Sequence, residues 1–218
     1  MLDWLVIGGG IHGVHLAARL IEEAGVLSSK LRIVDPGEQL LHQWRTCAER
    51  TGMKYLRSPA VHHLDIDPWS LTRFAKKRKR RFSSLFKAPY QRPALHLFNA
   101  HCNAVINRYQ LPKLHIRAEA LKCEVDCSHV TVELGDGQQL RSHKVVLAVG
   151  SGGQPYLPPW VPRNDERIQH LFDLQRPMLS FTAEQSVAVV GGGISAGQTA
   201  LRLRDEGHAV HLISRHPL

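Results

Sequence analysis

Apolar residues gather at Leu5-Val6-Ile7, then recur at Ile11, Val14, Ala17, Ala18 and Ile21. The first cluster reads as a strand. The second has the three- and four-residue spacing of one helix face, with Gly25 as its stop. Leu31-Arg32-Ile33-Val34-Asp35 is a second strand, halted by Pro36-Gly37. Strand, glycine turn, helix and strand fill about 30 residues, the size of a βαβ unit. Residues 36–113 are broken by Pro59, Pro68, Pro89, Pro93 and Pro112, and the pattern predicts only helices at 70–77 and 94–109.

From Leu114 the pattern turns to alternation, predicting strands at His115 to Ala120, Cys123 to Asp126 and Val130 to Leu134. Asp136-Gly137 is a hairpin turn. Gln139 to Lys144 continues the hairpin, and Val145 to Val149 is a buried strand that closes on Gly150. A linker with Pro155, Pro158, Pro159 and Pro162 follows. The opening theme then returns: Val187 to Val190 is a strand, Gly191-Gly192-Gly193 a turn, Ile194 to Glu206 a helix capped by Gly207, and Ala209 to Ile213 a strand. Residues 5–35 and 187–215 are therefore internally similar.

The chemistry of the first copy lies in Gly8-x-Gly10-x-x-Gly13. The first glycine permits a tight turn, the second lets backbone approach a pyrophosphate, and the third lets helix and strand pack closely. Asp35 ends the next strand 22 residues after Gly13, close to the ~20 expected of an acid that holds a ribose hydroxyl. The second copy is Gly191-x-Gly193-x-x-Ala196, and its following strand ends in Ser214-Arg215-His216 rather than an acid. A cation there suits the 2′-phosphate of NADP; a solvated surface charge is the alternative for Arg215.

Two such fingerprints flanking a hairpin resemble the two-dinucleotide-binding flavoproteins, and among these the N-hydroxylating and FMO-like flavin monooxygenases. The likeness is carried by Gly8 to Gly13, by WRTCAERTGMKYLRSP (Trp44 to Pro59), by VVLAVGSGGQP (Val145 to Pro155) and by GGGISAGQ (Gly191 to Gln198). The third segment is similar to the family's ATG-type strand, with valine in place of threonine, and the fourth to its GxGxSA signature. The resemblance implies an α/β fold: a Rossmann-type FAD-binding domain over residues 1–160 with an antiparallel β-hairpin excursion at about 114–144. It also implies a linker over 161–186 and the start of an incomplete NAD(P)H-binding unit over 187–218.

The same resemblance assigns residues. Gly8, Gly10 and Gly13 face the FAD pyrophosphate, and Asp35 holds the adenosine ribose. Trp44 and Arg45 lie on the loop that passes the flavin and its phosphates. Ala120 is where backbone meets the adenine, and Ala148 and Gly150 lie under the cofactor. Gly191, Gly193, Ser195 and Ala196 cradle the NADPH phosphates, with Arg215 on the 2′-phosphate. No catalytic residue is assigned. The implied activity is an NADPH-linked, FAD-dependent oxidoreductase: hydride passes from NADPH to the flavin, and oxygen then to a nucleophilic small substrate. An NADPH:acceptor flavin reductase and a shortened, non-catalytic FAD-binding sensor or partner protein stand as alternatives. The chain has 218 residues, and its second unit is shorter than a whole dinucleotide domain. A truncated or naturally shortened form, and a second chain that completes the NADPH domain, both account for that.

Composition changes little. A formal charge of +9, with 28 basic against 19 acidic residues, favours anionic partners. Six consecutive cations, Lys76 to Arg81, read as a solvated loop, so a nucleic-acid role ranks last. Cys47, Cys102, Cys123 and Cys127 form no CxxC pair, and the histidines show no metal-ligand spacing, so no metal site is expected. Neither a secretory signal nor an apolar run approaching ~18 residues is present, which predicts a cytoplasmic protein without a membrane span. His12 and His15 share a helical face beside the first glycine turn, and His62-His63-Leu64-Asp65 offers a candidate base.

Overall fold

A computed structural model describes residues 1–77, 82–150, 155–162, 165–182 and 184–216. In chain order the elements begin with β1 (Leu2–Ile7), α1 (Ile11–Glu22), β2 (Leu31–Asp35), α2 (His42–Arg50), α3 (Ser70–Lys76) and α4 (Phe82–Leu85). Then come β3 (Phe86–Lys87), β4 (Arg92–Pro93), α5 (Leu95–Arg108), β5 (His115–Arg117), β6 (Ala120–Val125), β7 (Val130–Leu134) and β8 (Gln139–Leu147). The last three are β9 (Ser186–Val190), α6 (Ile194–Asp205) and β10 (Ala209–Ile213). Of the basic run, Lys76 ends α3 and Lys77 follows it; residues 78–81 lie outside the described residues.

The chain forms two compact units, one of Met1–Trp44 with Lys54–Gly150, the other of Arg45–Met53 with Ser151–Leu218. A six-stranded sheet, ordered β5-β2-β1-β8-β7-β6, builds the first. Its β5, β2, β1 and β8 run parallel, and β8, β7 and β6 antiparallel. Parallel strands need both faces covered. α1 supplies one cover through Val14, Ala17 and Ala18, whose small side chains let helix and strands approach closely. The other side holds an apolar cluster of Leu5, Ile7, Val34, Val132 and Leu134, joined by the partly buried Val130 and Leu140 of the hairpin.

The structure joins what the alternation had separated. Gln139 to Lys144 and Val145 onward are one strand, β8. It pairs with β7 at its start and with β1 along its second half, as when Ser142 pairs with Val130 on one side and Leu2 on the other. The strand expected over His115 to Ala120 ends at Arg117, because the Ala118 N–H turns back to the Ile116 carbonyl at 3.0 Å. The Asp136-Gly137 turn forms as expected, with the Gly137 N–H donating to Leu134 O at 2.9 Å.

In the second unit β9 and β10 pair in parallel, Val187 with Val210 and Val190 with Ile213, and α6 packs on them through Thr199 and Leu203. Arg50 anchors the irregular chain that precedes β9. Its guanidinium donates to the carbonyls of Leu171 at 3.2 Å, Asp173 at 2.7 Å and Arg176 at 2.6 Å. Gln169 extends that anchor, donating to Pro177 O at 2.9 Å and accepting the Leu179 N–H at 2.9 Å. Among the described residues no helix is long and apolar enough to cross a membrane, and no disulfide joins the four cysteines.

Candidate functional site

The first glycine turn is tied in place by its neighbours. The Gly8 N–H donates to Val34 O at 2.8 Å, and the Ala148 N–H donates to Ile7 O at 2.7 Å. Gly8 has φ +111°, and a Cβ there would stand 2.3 Å from the Ala148 carbonyl oxygen. A Cβ on Gly13 would stand 1.9 Å from the Gly8 carbonyl oxygen. Both positions therefore exclude any side chain for reasons internal to the fold. Gly10 differs. Its backbone is extended, φ −74° and ψ −173°, and a Cβ there would meet nothing within 4 Å. The protein leaves that space open, on the side where a pyrophosphate approaches in dinucleotide-binding turns.

Gly10 is also the N-cap of α1, with no side-chain cap and no acid in the first turn. The first intrahelical bond is the Val14 N–H to Gly10 O, at 3.0 Å. The N–H groups of the first turn thus carry the partial positive charge of a helix start with no side-chain cap on them. This arrangement fits a phosphate.

One strand over, Asp35 takes the Gly9 N–H on Oδ2 at 2.6 Å and the Gly37 N–H on Oδ1 at 2.8 Å. A carboxylate has about four lone-pair positions, so two remain for ribose hydroxyls. The His115 Nε2–H donates to the Asp35 carbonyl at 3.0 Å and ties β5 to this end of β2. Asp35 pairs in register with Arg117, whose guanidinium stands 3.7 Å from the Glu38 carboxylate.

Gly8, Gly10, Gly13, Asp35 and Ala148 thus come together, and Gly150 (φ +63°) follows two residues beyond Ala148. Trp44 packs its ring on Phe98 of α5 at 5.1 Å between centroids. Arg45 is the next residue of α2 and is half-buried. Ala120 opens β6 and pairs with Leu134 in the antiparallel part of the sheet. Arg117 and His115 had no signal in the sequence, since only the parallel pairing of β5 with β2 brings them to Asp35 and the nearby Glu38.

The second glycine turn repeats the first within its own unit. Its Gly191 N–H donates to Ile213 O at 2.9 Å, the counterpart of Gly8 to Val34. Gly191 has φ +141°, and a Cβ there would lie 3.3 Å from the Ala196 Cβ. Gly193 caps α6 without a side-chain bond, and a Cβ on it would again meet nothing within 4 Å. Ser195 lies in the first turn of α6, and its carbonyl accepts the Thr199 hydroxyl at 2.8 Å. The position of Asp35 is filled by Ser214, which donates its hydroxyl to the His216 carbonyl. Arg215, beside it, is exposed.

The candidate base at His63 is engaged otherwise. Its Nδ1 accepts the Asp65 N–H at 3.1 Å, so its Nε2–H donates to Pro68 O at 3.1 Å, and burial lowers its pKa. A proton-accepting role has no free nitrogen to use. Asp65 instead centres a buried network that the sequence did not disclose. It accepts the Ser70 hydroxyl and a 3.0 Å bond from Arg108, while the His101 Nε2–H donates to Ser70 Oγ at 2.9 Å. Burial raises the Asp65 pKa, but the Ser70 hydroxyl, the Ile66 N–H and the Arg108 charge outweigh it, and the net shift is downward. Burial, reinforced by neighbouring His63, lowers His101 to about 4. Asp65, Ser70 and His101 are all buried, so this network ties α3 to α5 rather than meeting substrate. Among the described residues no three His, Cys, Asp or Glu side chains are grouped to hold a metal ion.

The profile of the FAD-NAD(P)-binding family matches residues 5–152. Neopentalenolactone D synthase of Streptomyces avermitilis is 24% identical over 99% of this chain and 36% of its own length. Putrescine N-hydroxylase of Shewanella oneidensis is 23% identical over 68% of this chain and 31% of its own. Among solved structures, the FAD-bound cadaverine monooxygenase DfoA of Erwinia amylovora superposes with a TM-score of 0.72 at 20% identity. That match covers all of this chain and 52% of the other. The chain therefore spans about a third of the length of these curated relatives and about half of the solved one.

Proposed function

Because this chain belongs to the FAD-NAD(P)-binding family, we propose that it binds FAD on the Gly8–Gly13 turn and works as an NADPH-linked flavin oxidoreductase of monooxygenase type. The observation that carries the reading is the open space at Gly10 between two glycines the fold itself demands, with the Asp35 carboxylate at the end of the next strand. In this reading the first-turn N–H groups of α1 hold the pyrophosphate, Asp35 holds the ribose, and Ala148 and Gly150 line the floor. Trp44 and Ala120 complete the cofactor contacts that this unit supplies. Bound FAD supplies hydride acceptance and oxygen chemistry; the chain supplies position, charge and exclusion of water.

The second turn takes the nicotinamide cofactor, with Gly191, Gly193, Ser195 and Ala196 at its phosphates. Ser214 in place of an acid, with Arg215 adjacent, favours NADPH over NADH. Replacing Arg215 by alanine is expected to weaken NADPH binding about tenfold, ~1.4 kcal/mol, and to leave NADH binding unchanged. Equal loss of both, by titration calorimetry, would remove Arg215 from the 2′-phosphate.

The proposed boundaries are an FAD domain over 1–160, a linker over 161–186 and the start of an NADPH unit over 187–218. The substrate is a nucleophilic small molecule such as an amine, a reading the named relatives support. The cytoplasm is the proposed location, and the four cysteines are free, as suits a reducing compartment. A second reading is a non-catalytic FAD-holding module, since the observations that carry the cofactor reading lie on the first glycine turn alone.

The test is the visible absorption spectrum of the purified chain, the identity of any flavin released on denaturation, and NADPH consumption with and without an amine. Bound FAD with NADPH use that tracks substrate oxygenation supports the monooxygenase. NADPH use with peroxide or a reduced acceptor alone makes it a reductase. Bound FAD without NADPH oxidation selects the module, and a chain that neither retains nor takes up FAD overturns the reading.

A further inference from the structure

The parallel strands stand in the order β5, β2, β1, and a dinucleotide lies across their carboxyl ends. With the pyrophosphate on the turn after β1 and the ribose at Asp35 on β2, the base falls one strand further out, over the end of β5. That end is Arg117, in register with Asp35. Facing it is Glu38, from the loop that leaves β2, with the two charges 3.7 Å apart. Their side chains are 65% and 70% exposed. An ion pair so open to water contributes little to stability, so the fold does not explain why a planar cation is steadied at this place. His115 holds β5 against Asp35, which keeps the Arg117 backbone fixed relative to the ribose site.

We propose that Arg117 recognises the adenine of FAD: its guanidinium, steadied by Glu38 across the ends of β2 and β5, stacks on the purine ring. The proposal rests on the FAD reading above and deepens it. Arginine suits the task because its delocalised plane is weakly hydrated and stacks on aromatic faces, which an ammonium cannot reproduce. Glu38 restricts the long side chain before the ligand arrives, so less freedom is lost on binding.

The test compares wild-type chain with Arg117→Ala, Arg117→Lys and Glu38→Gln, measuring the Kd of FAD and of FMN by quenching of flavin fluorescence. FMN carries the isoalloxazine and one phosphate but no adenine. Arg117→Ala is expected to weaken FAD by about tenfold or more, the range of base stacking, with FMN affinity and the melting temperature of the cofactor-free protein unchanged. Arg117→Lys should stay within about threefold of the alanine variant, since it restores charge and not the plane. Glu38→Gln should weaken FAD by a smaller factor and spare FMN. Wild-type chain that binds FAD together with an Arg117→Ala variant that binds it equally well overturns the proposal alone. Full rescue by lysine, or equal loss of FAD and FMN, also overturns it, by making Arg117 a plain charge on the phosphates. Wild-type chain that binds no FAD overturns the cofactor reading and this proposal with it.

Discussion

Gly10→Val is expected to leave the cofactor-free chain folded and to weaken FAD binding about a hundredfold or more, ~2.7 kcal/mol. The backbone of Gly10 is one that valine adopts readily, and a Cβ there touches nothing within 4 Å. The internal cost is the poorer N-cap, about 1 kcal/mol at most. What the side chain does occupy is the space through which a pyrophosphate must approach the α1 N–H groups. Gly13→Val makes the contrast. Its Cβ would stand 1.9 Å from the Gly8 carbonyl oxygen, so helix and strand must part, and stability falls together with binding. Melting temperature of the cofactor-free proteins and the FAD Kd, measured side by side, separate the two cases. Wild-type FAD affinity in Gly10→Val would move the phosphates off this turn. A collapse of its melting temperature would mean that Gly10 serves the fold.

Most of the frame was legible because it is written locally. β1, α1 and β2 announce themselves through short apolar runs, a helical period and glycines at fixed spacing, and the same signals identify β9, α6 and β10. Asp136-Gly137 places the hairpin without any tertiary information. α2 gave no such signal. Its sequence, HQWRTCAER, is polar overall, with Trp44, Cys47 and Ala48 as its only apolar positions, and it is held by particular contacts: Trp44 on Phe98, and Arg50 on three carbonyls more than a hundred residues away. β8 was divided because its two halves face different neighbours, so alternation holds for the hairpin part and fails for the part beside β1. At the candidate site the glycines and Asp35 were readable, whereas Arg117 and His115 were not. Their meeting with Asp35 depends on which strand pairs with β2, and strand order is a long-range choice that periodicity does not record. The histidine segment misled for a related reason. His63 lies in a candidate position, but both ring nitrogens are consumed by backbone groups that only the folded loop supplies.

Acidification is expected to destabilise the first unit well before its carboxylates titrate, through His101. Its ring is 1% exposed; Nε2–H donates to Ser70, and Nδ1 is buried without a partner. A proton on Nδ1 would create a buried cation beside His63 and near Arg108, with Asp65 already committed to Ser70 and Arg108. The folded pKa is therefore depressed, from 6.5 to about 4. Below pH 6.5 the unfolded chain takes up a proton that the folded chain refuses, so stability is full above that value and declines as the pH falls towards 4. The gap corresponds to roughly 3 kcal/mol at most. His63, also depressed by burial, adds in the same direction, and Asp65, held below its ordinary value, extends the loss to lower pH. Urea midpoints measured from pH 7 to 4 should show this decline in the wild-type chain. His101→Leu should start from a lower midpoint, because Ser70 loses a donor, and should show a flatter dependence across the same interval. An equal slope in both proteins would assign the acid sensitivity to other groups and leave the Ser70–His101 contact with a packing role alone.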